Sequence, residues 1–224
     1  MKEQIKDSAI ILRRTNYSEA DRIVTLLTVR HGKMSAMAKG VRKAKSKLAG
    51  GLELFAVSEV TLLPGKGEVA TITSARMHKF YGAILQDFDR MQFAYECVKL
   101  IGAAAETIAE PELFDLLNGA LAYLDATIPT PIVEVWFRLQ YLQIMGTGIN
   151  LVADVRGVPL QPDARYDFNV IEGAFVLTPH GRFGAEHIKY LRLASSKKPD
   201  ILRQVSGTGN VLQDCLWLAQ RLMA

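Results

Sequence analysis

Apolar and polar positions alternate in short runs over the first part of the chain, and polar or glycine-containing turns separate the runs. Alternation with a period of two and many β-branched residues are typical of strands that bury one face. Strands are therefore predicted at residues 9–14, 22–28, 34–38, 55–63 and 69–75. Five short strands in so little sequence favour a small closed barrel of the OB type, and an SH3-like barrel would give a similar pattern.

Beyond the fifth predicted strand the apolar positions recur every three or four residues, which is typical of amphipathic helices. Helices are predicted at residues 91–108, 111–124 and 130–146. Residues 147–182 break the pattern with glycines, prolines and short β-like pieces, which indicates an irregular hairpin region. Residues 186–223 return to a helical pattern with two interruptions.

These patterns predict an α+β chain with a five-stranded β-barrel of the OB or SH3-like type at residues 1–80 and an α-helical domain at residues 81–224. The 224 residues, 49% of them hydrophobic, are enough to bury a core. No apolar run reaches the roughly 18 residues of a membrane span, and a charged start argues against a signal peptide. Cys97 and Cys215 lie far apart in apolar patterns, so we expect buried side chains and a reducing cytoplasm.

The net charge of +4 is unevenly distributed along the chain. Residues 1–82 contain 15 Lys and Arg against 7 Asp and Glu, whereas residues 83–224 contain 12 against 16. An excess of positive charge in one part of a chain indicates a surface for a polyanion, although a basic surface also serves solubility alone.

The densest charge lies between the third and fourth predicted strands, in a segment that we call the basic loop, residues 39–47. It has five cations and no acid among nine residues, namely Lys39, Arg42, Lys43, Lys45 and Lys47. Such a loop, mobile without a ligand, is expected to close over a sugar-phosphate backbone and release counterions. Gly40 would allow close approach and Ser46 would donate to a phosphate oxygen. The alternative is a solvated charged loop.

Further candidate DNA-binding residues lie elsewhere in the predicted barrel. The additional cations are Arg13, Arg14, Lys33 and Lys66. Tyr17, in a predicted turn, is the candidate for stacking on a base, as aromatic rings on OB surfaces do. Phe55 follows an apolar leucine and is predicted to belong to the core.

Signatures of catalysis are missing from the sequence. It contains no GxSxG, no phosphate-binding P-loop and no HExxH motif. The spacing of His180 and His187 matches no metal-ligand pattern, and polar turn chemistry explains the acids of residues 18–21. We therefore predict a non-enzymatic protein with no catalytic residues, no metal and no cofactor.

Several segments resemble, in order, the N-terminal signature of the RecO family of bacterial recombination mediators. They are ILRR at residues 11–14, YSEADRIVTLLT at 17–28, HGKMSA at 31–36, AKGVRK at 38–43 and KSKLAG at 45–50. The resemblance is specific over about residues 8–80. It is weaker but collinear through the helical part, where residues 142–146 look like the end of the family's Leu-Leu-Gly helix.

The resemblance implies an OB-fold followed by an α-helical domain. It implies binding of single- and double-stranded DNA, annealing of complementary strands and partnership with RecR, with which such proteins help RecA to replace the single-strand-binding protein SSB on DNA. It also implies binding of the acidic SSB C-terminal tail and a cytoplasmic, nucleoid-associated location.

One departure from the family concerns a zinc module. Many relatives carry four cysteines that begin as Cys-x-x-Cys-Gly, whereas Ala153 and Arg156 stand at the first two of those positions here. The region is therefore predicted to be a degenerate, cysteine-less zinc-finger-like hairpin. Apolar packing by residues such as Phe168, Phe175 and Val176 is expected to hold it instead of zinc.

The sequence thus predicts a DNA-binding recombination mediator. Two alternatives stay open at this point, an adaptor whose basic barrel binds an acidic protein surface and an RNA-binding OB-fold protein. Salt-sensitive oligonucleotide binding would separate DNA binding from the adaptor, and competition between DNA and RNA strands would test the third possibility.

Overall fold

The N-terminal part of the chain forms five strands in the computed structural model, which describes residues 3–65, 67–108, 110–205 and 209–223. The strands are β1 (Ile5–Asn16), β2 (Arg22–Thr28), β3 (Gly32–Ala38), β4 (Ala56–Leu63) and β5 (Val69–Phe80). All five predicted strands are present. β1 and β5 are longer than predicted. β5 continues into exposed residues where the apolar alternation stops, and β1 is longer at both ends, with the polar residue Asp7 buried in its N-terminal extension.

The strands close into a barrel in the order β1-β2-β3-β5-β4, with β1 also paired to β4. Neighbours are antiparallel except β3 and β5, whose parallel pairing closes the barrel. Alternate residues point inward, so that Ile11, Val24 and Leu26 meet in one fully buried core. This arrangement confirms the predicted OB-fold, and Phe55 is buried as predicted.

A buried carboxylate, Asp7, fastens the hairpin between β2 and β3 to β1. It accepts hydrogen bonds from the backbone amides of Ser8 and Arg30 (both 2.9 Å) and lies 2.9 Å from His31 Nδ1. Burial alone would raise the pKa of Asp7, but these hydrogen bonds and the charge of Arg30 outweigh it and lower the pKa. Gly32 completes the hairpin turn with φ +62°.

Two helices follow the barrel within the same compact unit, which comprises residues 1–125. A 3₁₀ helix at Gly82–Gln86 leads into α1 (Phe88–Ala104), and α2 (Glu112–Asp125) ends the unit. α1 begins earlier than predicted because Asp87 caps it by accepting a hydrogen bond from the Arg90 amide (2.9 Å). The predicted domain boundary at residue 80 stays a prediction. It separates the strands from the helices, whereas the compact units are defined by how densely residues contact one another.

The second compact unit comprises residues 126–224. Its elements are α3 (Thr130–Ile144), β6 (Tyr166–Asn169), β7 (Ala174–Leu177), α4 (Ala185–Ser196), α5 (Pro199–Leu202) and α6 (Gly209–Arg221). α3, α4 and α6 pack against one another. Both cysteines, Cys97 in α1 and Cys215 in α6, are buried as predicted. No helix in the described parts of the chain is long and apolar enough to cross a membrane.

Apolar side chains pack in the hairpin β6–β7, among them Phe168 and Val176, which are half-buried. Phe175 is fully buried, and edge-to-face contacts join its ring to Tyr166, Phe168 and Phe183. Beside it, Asp154 accepts hydrogen bonds from the amides of residues 156 and 158, both 2.9 Å. A carboxylate thus closes this turn. The donors present do not suit zinc, since no group of three His, Cys, Asp or Glu side chains gathers among the described residues.

Candidate nucleic-acid interface

The basic loop is tied to the turn between β1 and β2, which we call the β1–β2 turn, residues 17–21. The Gly40 amide donates to Asp21 Oδ1 at 2.7 Å, and the Arg42 amide donates to the Ala20 carbonyl at 3.0 Å. The Arg42 guanidinium donates to the Ser18 carbonyl at 2.8 Å. The three hydrogen bonds make the turn and the start of the loop one structural feature.

Glycine is required at the point where the loop turns back. Gly40 has φ +65°, in the left-handed region that disfavours other residues. A Cβ there would meet nothing closer than 3.7 Å, in the Lys43 side chain. Gly40 therefore serves the turn conformation rather than a close approach. The close approach occurs after the loop, at Gly51, where a Cβ would lie 2.3 Å from the carbonyl oxygen of Ala75 in β5.

Apolar side chains from the loop and the segment after it are inserted into the barrel. Val41 and Leu52 are buried in the barrel core, and Leu48 packs against it. Because these side chains point inward, the charged residues between them point to solvent. The exposed cations are Lys39, Arg42, Lys43, Lys45 and Lys47. Ser46 is half-buried, and its Oγ accepts from the Leu48 amide at 3.3 Å, which leaves the hydroxyl hydrogen for another acceptor.

Tyr17 lies in the β1–β2 turn, next to Ser18, which binds the Arg42 guanidinium. Its side chain is 66% exposed. The polar chemistry predicted for the turn is confirmed, since Ser18 Oγ accepts from the Asp21 amide at 3.1 Å. An exposed aromatic ring, available for base stacking, thus stands on the turn to which the basic loop is hydrogen-bonded.

The remaining predicted cations do not all join this surface. Arg14 pairs with Glu53 (2.7 Å). Lys33 donates to the Gly102 carbonyl in α1 (2.7 Å) and to the carboxylate of Glu106, which follows α1 (2.6 Å). The hydrogen bond from Lys33 and its positive charge lower the pKa of the Glu106 carboxyl group.

Arg13 is exposed on the outer face of β1, where it pairs in register with Thr25 of β2. Lys66 lies outside the described residues. The predicted set is therefore divided: the loop cations and Ser46 belong to the basic loop and Tyr17 to the turn bonded to it, whereas Arg13 and Lys33 lie on the barrel's outer face.

Two residues of α1 that were not predicted also line this outer face. They are Tyr95 and Lys99, both exposed. They lie four residues apart and so occupy one side of the helix. The sequence signal was only a lysine and a tyrosine in a helical pattern, and nothing local distinguished them from ordinary surface residues.

Family models match nearly the whole chain. Residues 1–81 match the model described as Recombination protein O N terminal, and residues 85–223 match Recombination protein O C terminal. The curated relatives include proteins named DNA repair protein RecO. The one from Dehalococcoides mccartyi strain 195 is 38% identical over 142 residues, 63% of this chain and 56% of the relative.

Two further relatives with that name extend the comparison. The protein of Anaeromyxobacter dehalogenans is 33% identical over 172 residues, 74% of this chain and 66% of the relative. That of Geobacter sulfurreducens is 31% identical over 207 residues, 92% of this chain and 82% of the relative. The matched part thus spans between about half and four fifths of these relatives. The chain belongs to the RecO family, recombination protein O.

Proposed function

We propose that this protein binds single- and double-stranded DNA through the basic loop and serves DNA repair as a recombination mediator, by binding and not by catalysis. The observation that carries the proposal is the anchored basic loop. Its five exposed cations stand on a backbone that hydrogen bonds hold to the β1–β2 turn. A loop already held in place loses less conformational freedom on binding than a free one.

The chemistry of the loop suits a DNA backbone of any sequence. Lysine and arginine neutralise phosphates and release counterions, whereas base edges carry the sequence information. Ser46 would donate to a phosphate oxygen, and Tyr17 would stack on a base. Neutralising phosphates on two strands lets complementary strands approach, which would support annealing without chemical catalysis.

The cations outside the loop would extend this surface. Arg13 and Lys66 would contact phosphates directly. Arg14 and Lys33 would contribute where a phosphate competes with the carboxylates that now hold them.

The partners proposed are those that the family resemblance implies. With RecR, the protein would help RecA to replace SSB on single-stranded DNA. The helical unit would dock protein partners, including the acidic SSB tail. The protein would act in the cytoplasm, associated with the nucleoid.

The test measures fluorescence anisotropy of a labelled oligo(dT) as salt is raised. The variant changes Lys43, Lys45 and Lys47 to Glu and keeps Arg42, because its guanidinium anchors the loop. About five contacted phosphates on a single strand give a slope of log affinity against log salt near −3 to −4. Losing three contacts should make that slope less negative by about two. It should also weaken binding at about 0.1 M salt roughly a hundredfold.

The matched control changes three exposed lysines of the second unit to Glu, namely Lys189, Lys197 and Lys198. This control variant has the same net charge as the loop variant. It should keep most of the affinity. Equal losses in both variants would show that net charge alone drives binding and would refute the loop assignment. Binding of an acidic peptide without salt-sensitive oligonucleotide binding would favour the adaptor, and preference for RNA over matched DNA would favour RNA binding.

A further inference from the structure

A groove of about 580 Å³ runs between the outer face of the barrel and α1, within the first compact unit. We call it the outer-face groove. Its size falls in the range of pockets that hold small ligands. It is lined by side chains that include Arg13, Thr25, Ser35, Tyr95, Val98 and Lys99.

The strand register explains the barrel side of the groove. Arg13 pairs with Thr25, and Thr25 pairs with Ser35, so three polar side chains stand in a row across β1, β2 and β3. OB barrels commonly bind oligonucleotides on the outer face of β2 and β3 and on the β1–β2 loop. Here α1 lies beside that face, and the outer-face groove opens between the helix and the strands.

The other side of the groove comes from α1. Tyr95 and Lys99 lie on the helix side that faces the row of polar residues. The helix and the barrel are in contact at Gly102, where a Cβ would lie at an ordinary van der Waals distance, 3.7 Å, from Leu12 Cδ1. Leu12 and Val98 add an apolar lining between the polar groups.

Charge in the groove favours an anion. The lining contains three cations, Arg13, Lys33 and Lys99, against the single carboxylate of Glu106. Lys33 is engaged by that carboxylate, whereas Arg13 and Lys99 are exposed to solvent. An entering phosphate would therefore meet two solvent-facing cations.

The aromatic ring in the groove is connected to the segment that begins with the basic loop. Tyr95 is 47% exposed, and its ring meets Phe55 edge-on, with centroids 4.9 Å apart and planes at 64°. Phe55 has φ +57°, a strained conformation for an aromatic residue, and it ends the segment that joins β3 to β4. Such strain persists where surrounding structure enforces it, often at ligand sites.

We propose that the outer-face groove binds one nucleotide of a single DNA strand, with its base on Tyr95 and its phosphate between Arg13 and Lys99. The proposal rests on the proposed function, because the basic loop is to hold the same strand. It assigns the helix α1 a direct part in binding. A ring, two cations and two hydroxyls supply the contacts that single-stranded DNA uses, namely stacking and phosphate neutralisation.

The test places a fluorescent reporter in the groove with Tyr95→Trp and compares its emission with that of the wild type, which already contains Trp136 and Trp217. Oligo(dT) and an abasic oligonucleotide of equal length are titrated, and anisotropy follows binding separately. We expect oligo(dT) to quench the added emission and the abasic strand to bind without quenching it. Bound oligo(dT) that leaves the emission unchanged would overturn the groove and leave the loop proposal standing.

Affinity supplies the second readout. Tyr95→Leu should bind oligo(dT) about tenfold more weakly, as loss of one base stack predicts, and Tyr95→Phe should retain wild-type affinity. Phe88→Leu is the matched control, because Phe88 is an exposed aromatic of the same helix outside the groove lining. Equal effects of Tyr95→Leu and Phe88→Leu would refute the stacking role. Absence of any oligonucleotide binding by the wild type would overturn both proposals.

Discussion

Asp21 anchors the basic loop, and two substitutions at this position separate its charge from its hydrogen bond. Its Oδ1 accepts from the Gly40 amide at 2.7 Å. Asp21→Asn removes the charge and keeps an oxygen acceptor in place, whereas Asp21→Ala removes both. If charge alone governs DNA binding, both variants should bind slightly more tightly than the wild type, because each loses a carboxylate near the phosphates.

The two effects differ in size. A carboxylate about 10 Å from a phosphate repels it by roughly 0.4 kcal/mol in water, and physiological salt screens this further. A hydrogen bond to a neutral acceptor contributes about 1 kcal/mol, a factor of about five in the equilibrium constant between the anchored and the free loop. Binding that requires the anchored loop weakens in proportion to that population. Where the free loop makes up about a quarter or more of the Asp21→Asn population, Asp21→Ala should therefore bind about two- to fivefold more weakly than Asp21→Asn.

Anisotropy of a labelled oligo(dT) at fixed salt measures both variants against the wild type. The comparison between Asp21→Ala and Asp21→Asn cancels the charge effect, since both lack the carboxylate. The salt slope should stay the same in the two variants, because the cations are unchanged. Equal affinity of the two variants would show that the hydrogen bond from the Gly40 amide to Asp21 does not contribute to binding.

Three further predictions concern stability. Asp7→Asn should lower the free energy of unfolding by about 1–3 kcal/mol at neutral pH, because two backbone donors lose a charged acceptor. Because folding lowers the pKa of Asp7, its carboxylate stabilises the folded state above the unfolded-state pKa of about 4, and this stabilisation is lost as the pH falls through the folded-state pKa. In urea titrations, the free energies of unfolding of the variant and the wild type should therefore become equal in acid. Gly51→Ala should destabilise the barrel, because its Cβ would overlap the Ala75 carbonyl, whereas Gly50→Ala, which meets nothing within 4 Å, should leave the urea midpoint unchanged. Phe175→Ala should cost about 3–5 kcal/mol in thermal unfolding, and a loss below about 1 kcal/mol would contradict its role as the centre of the hairpin's packing.

The elements were predictable because their signals are local. Alternation over a few residues identified every strand of the barrel, and the spacing of apolar residues identified the three helices that follow it. The errors lie at element ends. β5 continues to Phe80 through residues that are exposed and show no alternation, and α1 begins at Phe88 because of a cap that precedes the apolar pattern.

The sequence by itself determined the class of fold, the family and the position of the basic loop, since each follows from neighbouring residues. Only the tertiary structure decided which cations belong to one surface. Lys33 is paired with Glu106, 73 residues away, and Arg14 with Glu53, 39 residues away. Both contacts depend on how the barrel closes and on where the segments that contain the two carboxylates lie against it. The outer-face groove likewise combines strands with a helix distant in sequence. Contacts of this kind have no local signature, because they are formed by packing and not by the order of residues.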